Sequence, residues 1–315
     1  MSYSSQLKEE LGSVIDKARH CRIAEIAAII SFNGHFNEAG LEVITENETV
    51  VDLYKELLKM VFDVTPEESE VTDQRRKKAF VLRLPYKTGD EKIKDIFEAL
   101  KMTIPGDGIE GKMPDIKMIT SKNCCKRAFL RGAFISVGSI SNPDKSYHFE
   151  LNCREKETCD IVEQMLKSLS FDAKQVKRQK YEVVYVKDGS QIVDIIGMMG
   201  ARTGLLDFEN MRIVREVRGN VNRRVNCETA NINKTARASA RQIEDIIYIK
   251  EHMGFESLPI GLDEMARVRL QCPEATLGEL GLKLEPPVGK SGVNHRLRKL
   301  SMIAETLRNQ EEEKR

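Results

Sequence analysis

Residues 24–36 read AEIAAIISFNGHF and residues 128–140 read AFLRGAFISVGSI, so one pattern returns 104 residues further along the chain. Each segment predicts a helix that ends at a glycine, Gly34 or Gly138, and is followed by a strand. Small residues in the middle of both helices let two backbones approach closely; they are Ala27, Ala28, Gly132 and Ala133. The repeat therefore predicts two central helices packed across a pseudo-twofold axis.

The elements after each repeated helix keep the same spacing. The predicted elements of the first copy are a strand at 41–45, a helix at 48–62, a strand at 79–84 and a helix carrying Ile93, Ile96, Phe97 and Leu100. Those of the second copy are a strand at 147–153, a helix carrying Ile161, Val162, Met165, Leu166 and Leu169, a strand at 181–186 and a helix at 192–199. Two copies of the order α-β-(β)-α-β-β-α predict an α+β domain at 20–217, with repeats at about 20–103 and 122–215, preceded by an N-terminal helix at 1–19.

Residues 218–234 form a basic, asparagine-rich segment that we expect to link the first domain to the rest of the chain. Between residues 218 and 241 there are six basic residues and one acid, Glu228, for a net charge of +5. Two interpretations remain open: a solvated tether, or an extended segment that touches DNA phosphates through Arg223 and Arg224.

The remaining segment, 235–310, predicts an all-α domain with a helix-turn-helix at about 275–308. One helix starts at Thr235, a second runs from Leu262 to before Pro273, TLGE at 276–279 is a capping box, and Ser291 can cap the last helix. That helix has an apolar stripe and an opposite basic face, which favours DNA binding. The expected DNA-binding residues on it are Lys290, Ser291, Asn294, His295, Arg296, Arg298 and Lys299. An ordinary helical hairpin with a solvated charged face is the alternative.

Composition excludes several classes of protein. The formal net charge of +1 gives no global sign of nucleic-acid binding, and no apolar run reaches the ~20 residues of a membrane span. The chain has seven cysteines and five histidines but none of the usual zinc-site spacings along the sequence, so we expect reduced thiols, no metal and no cofactor. Phosphate-loop and nucleophile-elbow motifs are absent as well. We expect a cytoplasmic, nucleoid-associated protein without a membrane partner.

The repeated helix resembles the central motif of LAGLIDADG homing endonucleases. In active members of that family, the acid just before the last glycine of each helix holds the divalent metals that activate water. Asn33 and Val137 stand at those two positions here. Asparagine is a poor substitute for an anionic ligand and valine cannot bind metal, so the resemblance implies a retained fold and a lost nuclease.

The whole chain resembles the WhiA family of bacterial DNA-binding proteins. The stretches that carry the resemblance are YSSQLKEEL at 3–11, LRGAF at 130–134, RRVNCETAN at 223–231 and KSGVNHRLRKL at 290–300. The resemblance implies a transcription regulator tied to sporulation, cell division or chromosome segregation. We therefore expect a monomeric, non-catalytic protein whose partner is double-stranded DNA. The alternatives are a metal-dependent nuclease using other acids, and a scaffold that docks RNA polymerase or another regulator.

Overall fold

The computed structural model describes residues 2–37, 40–72, 78–85, 90–105 and 111–312. The chain divides into two compact units, Met1–Glu216 and Val217–Arg315. Within the described residues, no helix is both long enough and apolar enough to cross a membrane.

The first unit begins with α1 (Tyr3–Gly12) and then contains two copies of one α+β arrangement. The first copy runs α2 (Arg19–Asn33), β1 (Gly34–Asn37), β2 (Gly40–Thr45), α3 (Glu48–Phe62), β3 (Glu67–Thr72), β4 (Lys78–Leu84) and α4 (Glu91–Ala99). After the short α5 (Ile116–Ile119), the second copy runs α6 (Asn123–Val137), β5 (Gly138–Ile140), β6 (Phe149–Cys153), α7 (Lys156–Ser168), β7 (Lys174–Arg178), β8 (Tyr181–Val186) and α8 (Gly189–Met199).

Each copy folds into a four-stranded antiparallel sheet with equivalent strand order. The orders are β1-β2-β4-β3 and β5-β6-β8-β7. The glycine that ends each central helix opens the first strand, so Gly34 faces Val43 and Gly138 faces Leu151. The predicted duplication is therefore visible in the pairing register as well as in the helices.

Helices α2 and α6 pack against each other through their small residues. Ala28 and Ala133 are fully buried, and a Cβ atom built on Gly132 would lie 3.0 Å from the Ala28 Cβ and 2.9 Å from the Glu25 carbonyl oxygen. No larger side chain fits at this position without displacing the neighbouring backbone. The close approach predicted from the repeat is thus present in the structure.

The second unit is helical. Its elements are the C-terminal part of α9 (Arg202–His252), a 3-10 turn at Phe255–Ser257, α10 (Leu262–Gln271), α11 (Leu277–Leu282) and α12 (Lys290–Glu312). Its core is formed by Ile246, Ile249, Phe255, Leu258, Leu262, Met265, Leu280, Leu284, Val293, Leu297 and Leu300. This core is separate from that of the first unit.

The expected linker at 218–234 is helical instead, as part of α9, and no helix starts at Thr235. Asparagine has a lower helix propensity than alanine, but only by ~0.7 kcal/mol or less per residue, so the surrounding Arg, Val, Glu and Ala residues sustain the helix. The predicted order of each copy includes two strands after the middle helix, but the sequence did not locate the first of them, which is β3 in one copy and β7 in the other. Both lie at a sheet edge and carry mostly exposed polar side chains, so their sequences lack the apolar alternation of a half-buried strand.

Candidate nucleic-acid interface

Helix α12 buries one stripe and exposes the opposite face. Val293, Leu297, Leu300 and Ala304 are buried in the core of the second unit. Ser291, His295, Arg298 and Lys299 are exposed. Arg298 and Lys299 make no ion pair with any residue that the structure describes. The exposed face therefore presents two cations and an imidazole to solvent.

Helix α11 begins with a capping box, and α12 follows it after one turn. The Thr276 hydroxyl accepts a hydrogen bond from the Glu279 amide at 3.4 Å, and the Glu279 carboxylate accepts one from the Thr276 amide at 2.8 Å. This is the predicted capping box. Ser291 is already inside α12, one residue after its start. Arg296 is half-buried and donates to the Gly261 carbonyl at 3.3 Å, so it positions α10 against α12 rather than pointing freely outward.

The beginning of α12 shares a cleft with α9. The cleft has a volume of about 390 Å³, and Lys234, Lys290 and Asn294 are among the residues that line it. Behind them lies the buried Arg269, which donates to the Ala275 carbonyl at 2.7 Å and whose pKa is lowered by burial. Three cationic side chains thus surround one cleft.

Four of the six basic residues between positions 218 and 241 share one face of α9. At about 100° per residue, Arg223, Lys234, Arg237 and Arg241 fall within about 60° of one another. We call these four exposed residues the basic stripe. Arg223 also donates to the Asn220 side chain at 2.5 Å. Arg224 lies about 100° away from Arg223 and pairs with Glu228 at 3.1 Å, so the structure separates the two predicted arginines.

The last residues of α2 and α6 are Asn33 and Val137. The Asn33 side chain is buried and its Nδ2 donates to the Ile44 carbonyl at 3.1 Å. Its Oδ1 is also buried and accepts no hydrogen bond from the described residues. Neither side chain supplies an anion at the position before the glycine.

A lysine approaches this same region from α1. Lys8, Asn33 and Ser136 line one cleft of about 470 Å³, together with Glu9 and Glu46. The Lys8 Nζ lies 5.8 Å from the centre of the Phe134 ring, and burial lowers the Lys8 pKa to about 8. Among the described residues, Glu9 and Glu46 belong to no group of three or more acidic, histidine or cysteine side chains close enough to share an ion.

Comparison with known proteins identifies the family. The chain matches the WhiA N-terminal LAGLIDADG-like domain at 19–101, the WhiA LAGLIDADG-like domain at 126–218 and the WhiA C-terminal HTH domain at 221–304. A probable cell division protein WhiA from Lachnoclostridium phytofermentans is 43% identical over 313 residues, which cover 98% of this chain and 100% of the relative. The chain belongs to the WhiA family.

Other WhiA proteins give the same result. The probable cell division protein WhiA of Desulforamulus reducens is 40% identical over 325 residues, covering 99% of this chain and 98% of the relative. The crystal structure of full-length DUF199/WhiA from Thermatoga maritima matches with a TM-score of 0.58 and 27% identity, over 97% of this chain and 99% of that one. The family resemblance and the fold class predicted from the sequence are therefore confirmed.

One cluster of this WhiA chain was missed by the sequence analysis. His20, Cys21, Cys124 and Cys125 bring their ligand atoms within 4.8 Å of one another. The usual zinc-site motifs consist of ligands separated by a few residues along the chain, whereas these two pairs come from different copies of the repeat. The signal that could have found them is the repeat itself, because residues 20 and 21 are separated from 124 and 125 by the same 104 residues.

Proposed function

We propose that this WhiA chain is a sequence-specific DNA-binding regulator in which α12 enters the major groove. The observation that carries the proposal is the exposed face of α12, where His295 lies between Arg298 and Lys299, on a helix whose apolar side shares a core with α11. Arginine can form two hydrogen bonds to guanine, which is the commonest base-specific contact in the major groove. Helix-turn-helix proteins place such a helix against base edges.

The phosphate contacts are assigned to the basic stripe and to the cleft that Lys234 shares with Lys290. Arg223 and Arg241 are 18 residues apart, which is about 27 Å along a helix, or roughly eight base pairs of duplex. Contacts to phosphates hold the protein on the duplex without reading sequence. The basic stripe would thus supply affinity for DNA, and α12 would supply sequence specificity.

We further propose that the protein does not cleave DNA. Asn33 and Val137 remove the two anions that a two-metal site needs, and the ammonium group of Lys8 in the neighbouring cleft repels divalent cations. Incubation of the pure protein with supercoiled plasmid and Mg²⁺ or Mn²⁺ is expected to leave the plasmid intact. Nicking that requires metal and disappears in a Glu9→Gln/Glu46→Gln variant would instead establish a nuclease built from other acids.

The regulated process is proposed from the relatives, whose names describe probable cell division proteins. We infer control of genes for cell division, chromosome segregation or sporulation, by a monomer that acts on the nucleoid in the cytoplasm. We propose RNA polymerase or another regulator as a further partner. Co-purification of polymerase with the chain on promoter DNA, set against promoter-free DNA, tests that contact.

The experiment that tests DNA reading starts from the full chain and a pool of random duplexes. Repeated rounds of binding and amplification are expected to converge on one motif, which then serves as the specific probe. Genome-wide mapping of bound sites in cells should recover the same motif. A pool that stays random, although the protein is folded and binds duplex at low salt, would reduce the function to non-specific binding.

A further inference from the structure

The pseudo-twofold repeat brings two pairs of metal-ligating side chains together where the central helices begin. His20 and Cys21 are the second and third residues of α2, and Cys124 and Cys125 are the second and third residues of α6. Because the two helices are equivalent elements of the two copies, the pairs meet at one end of the helix pair. Asn33 and Val137 lie at the opposite end of the same helices, so the cluster is distinct from the degenerate nuclease position.

The geometry of the cluster suits a tetrahedral ion. All four ligand atoms lie within 4.8 Å of one another, and the His20 Nδ1 is 3.3 Å from the Sγ atoms of both Cys21 and Cys125. In a zinc site with Zn–S of ~2.3 Å and Zn–N of ~2.0–2.1 Å, tetrahedral geometry places N and S ~3.5 Å apart and two S atoms ~3.8 Å apart. The observed separations need only small side-chain adjustments to reach these values.

Two helix amino termini and Lys122 place positive charge near the sulfur atoms. The amino-terminal ends of two helices converge on the cluster, and the partial positive charge of a helix amino terminus stabilises thiolates. In the metal-free protein burial has the larger effect and raises the pKa of both Cys21 and Cys125, so an ion that binds here displaces the thiol protons. Three thiolates and one imidazole around Zn²⁺ carry a net charge of −1, which these positive groups offset.

Two of the four side chains are exposed and two are buried, so an ion can reach the cluster from solvent and be held there. Cys21 and Cys125 are buried, whereas His20 and Cys124 are exposed and form the outer side of the cluster. Four protein ligands leave no coordination position for a substrate, which is the arrangement of structural rather than catalytic zinc.

We propose that His20, Cys21, Cys124 and Cys125 bind one Zn²⁺ ion that joins the beginnings of α2 and α6. The ion would tie the two copies of the repeat together across the pseudo-twofold axis. Such a link stabilises the folded unit because the unfolded chain does not hold residues separated by 104 positions at one point.

The test uses the full chain, purified under reducing conditions without chelator, and measures zinc by mass spectrometry of the element. We expect about one zinc per chain in the wild type and in Cys227→Ser, which changes an exposed cysteine of α9. Cys124→Ser and the double variant His20→Ala/Cys124→Ser should bind zinc more than about 100-fold more weakly, since even residues that only support metal ligands change affinity by ~10–100-fold. Chelator should lower the melting temperature of wild type and Cys227→Ser but leave Cys124→Ser unchanged.

A second measurement does not depend on the variants folding. Cobalt(II) added to the metal-free wild type should give the intense visible absorption of tetrahedral thiolate coordination, and one equivalent of zinc should abolish it. Wild-type protein that takes up neither zinc nor cobalt while its thiols are reduced overturns the proposal. So does a chain isolated under reducing conditions whose mass and peptide map show a disulfide within this cluster, because bridged sulfurs cannot ligate the ion.

Discussion

The Arg131 guanidinium on α6 holds the Glu25 carboxylate on α2, with Nε 2.6 Å from Oε1 and Nη2 2.8 Å from Oε2. Both residues are buried, and the same guanidinium reaches Asp16 at 2.6 Å. This ion pair joins the two copies beside the close contact of the helices at Gly132. The two halves of the unit are therefore joined by charge as well as by packing.

Removing one partner of this pair should destabilise the first unit strongly. Arg131→Met leaves Glu25 without its cation, and breaking a buried pair in this way costs about 3–5 kcal/mol of unfolding free energy. Burial raises the Glu25 pKa to about 7 even with Arg131 present, and losing the arginine raises it further. An acid whose pKa is higher in the folded than in the unfolded protein lowers the free energy of unfolding as pH rises between those two pKa values. The loss of stability in Arg131→Met relative to wild type should therefore be larger at pH 8 than at pH 5.

Urea unfolding followed by circular dichroism measures this effect. The double variant Glu25→Leu/Arg131→Met is the control, since it removes both charges and should recover most of the lost stability. A single variant as stable as wild type at pH 8 would show that the pair contributes nothing.

The glycine at the helix crossing gives a second stability prediction. Gly132→Ala places a Cβ 2.9 Å from the Glu25 carbonyl oxygen, so the helices must separate at a cost of about 1–3 kcal/mol. The matched control is Gly219→Ala on α9, where the new Cβ meets only the Arg223 guanidinium at 3.6 Å. There the change should stabilise the helix by about 0.5–1 kcal/mol. Equal melting temperatures for the two variants would contradict the close packing.

The sequence predicts the duplicated domain well because the repeat appears in local patterns. The bounds of α3 and β8 agree with the structure, since an amphipathic helix and an apolar strand carry their periodicity within a few residues. The positions of the edge strands β3 and β7 were not assigned, because their exposed polar side chains leave no apolar alternation. The full length of α9 was missed, because the asparagine-rich segment gave no sign that the helix continues through it. The cysteine-histidine cluster was missed for a related reason: its members meet only when the two copies assemble.

If the basic stripe contacts DNA phosphates, the effect of removing a charge from α9 on DNA binding should depend on which face of the helix carried it. Arg223→Ala/Arg241→Ala removes two charges from the stripe, so the negative slope of log K against log salt should become shallower by about 1.8 units. Arg218→Ala/Arg224→Ala removes two charges from other faces of α9 and should change the slope by much less. Binding to a non-specific duplex from low to moderate salt gives both slopes. Equal changes of slope for the two double variants would show that only the total charge of α9 matters.

Reading of base pairs by α12 is tested most directly by Arg298→Ala, with Lys299→Ala as the control of equal charge change. The measurement is the ratio of affinities for the selected motif and for a scrambled duplex at one salt concentration. The account predicts that Arg298→Ala lowers this ratio by about 5- to 150-fold, the equivalent of ~1–3 kcal/mol, whereas Lys299→Ala weakens both affinities and leaves the ratio nearly unchanged. A folded Arg298→Ala variant that keeps the wild-type ratio would contradict the assignment of α12 as the reading helix.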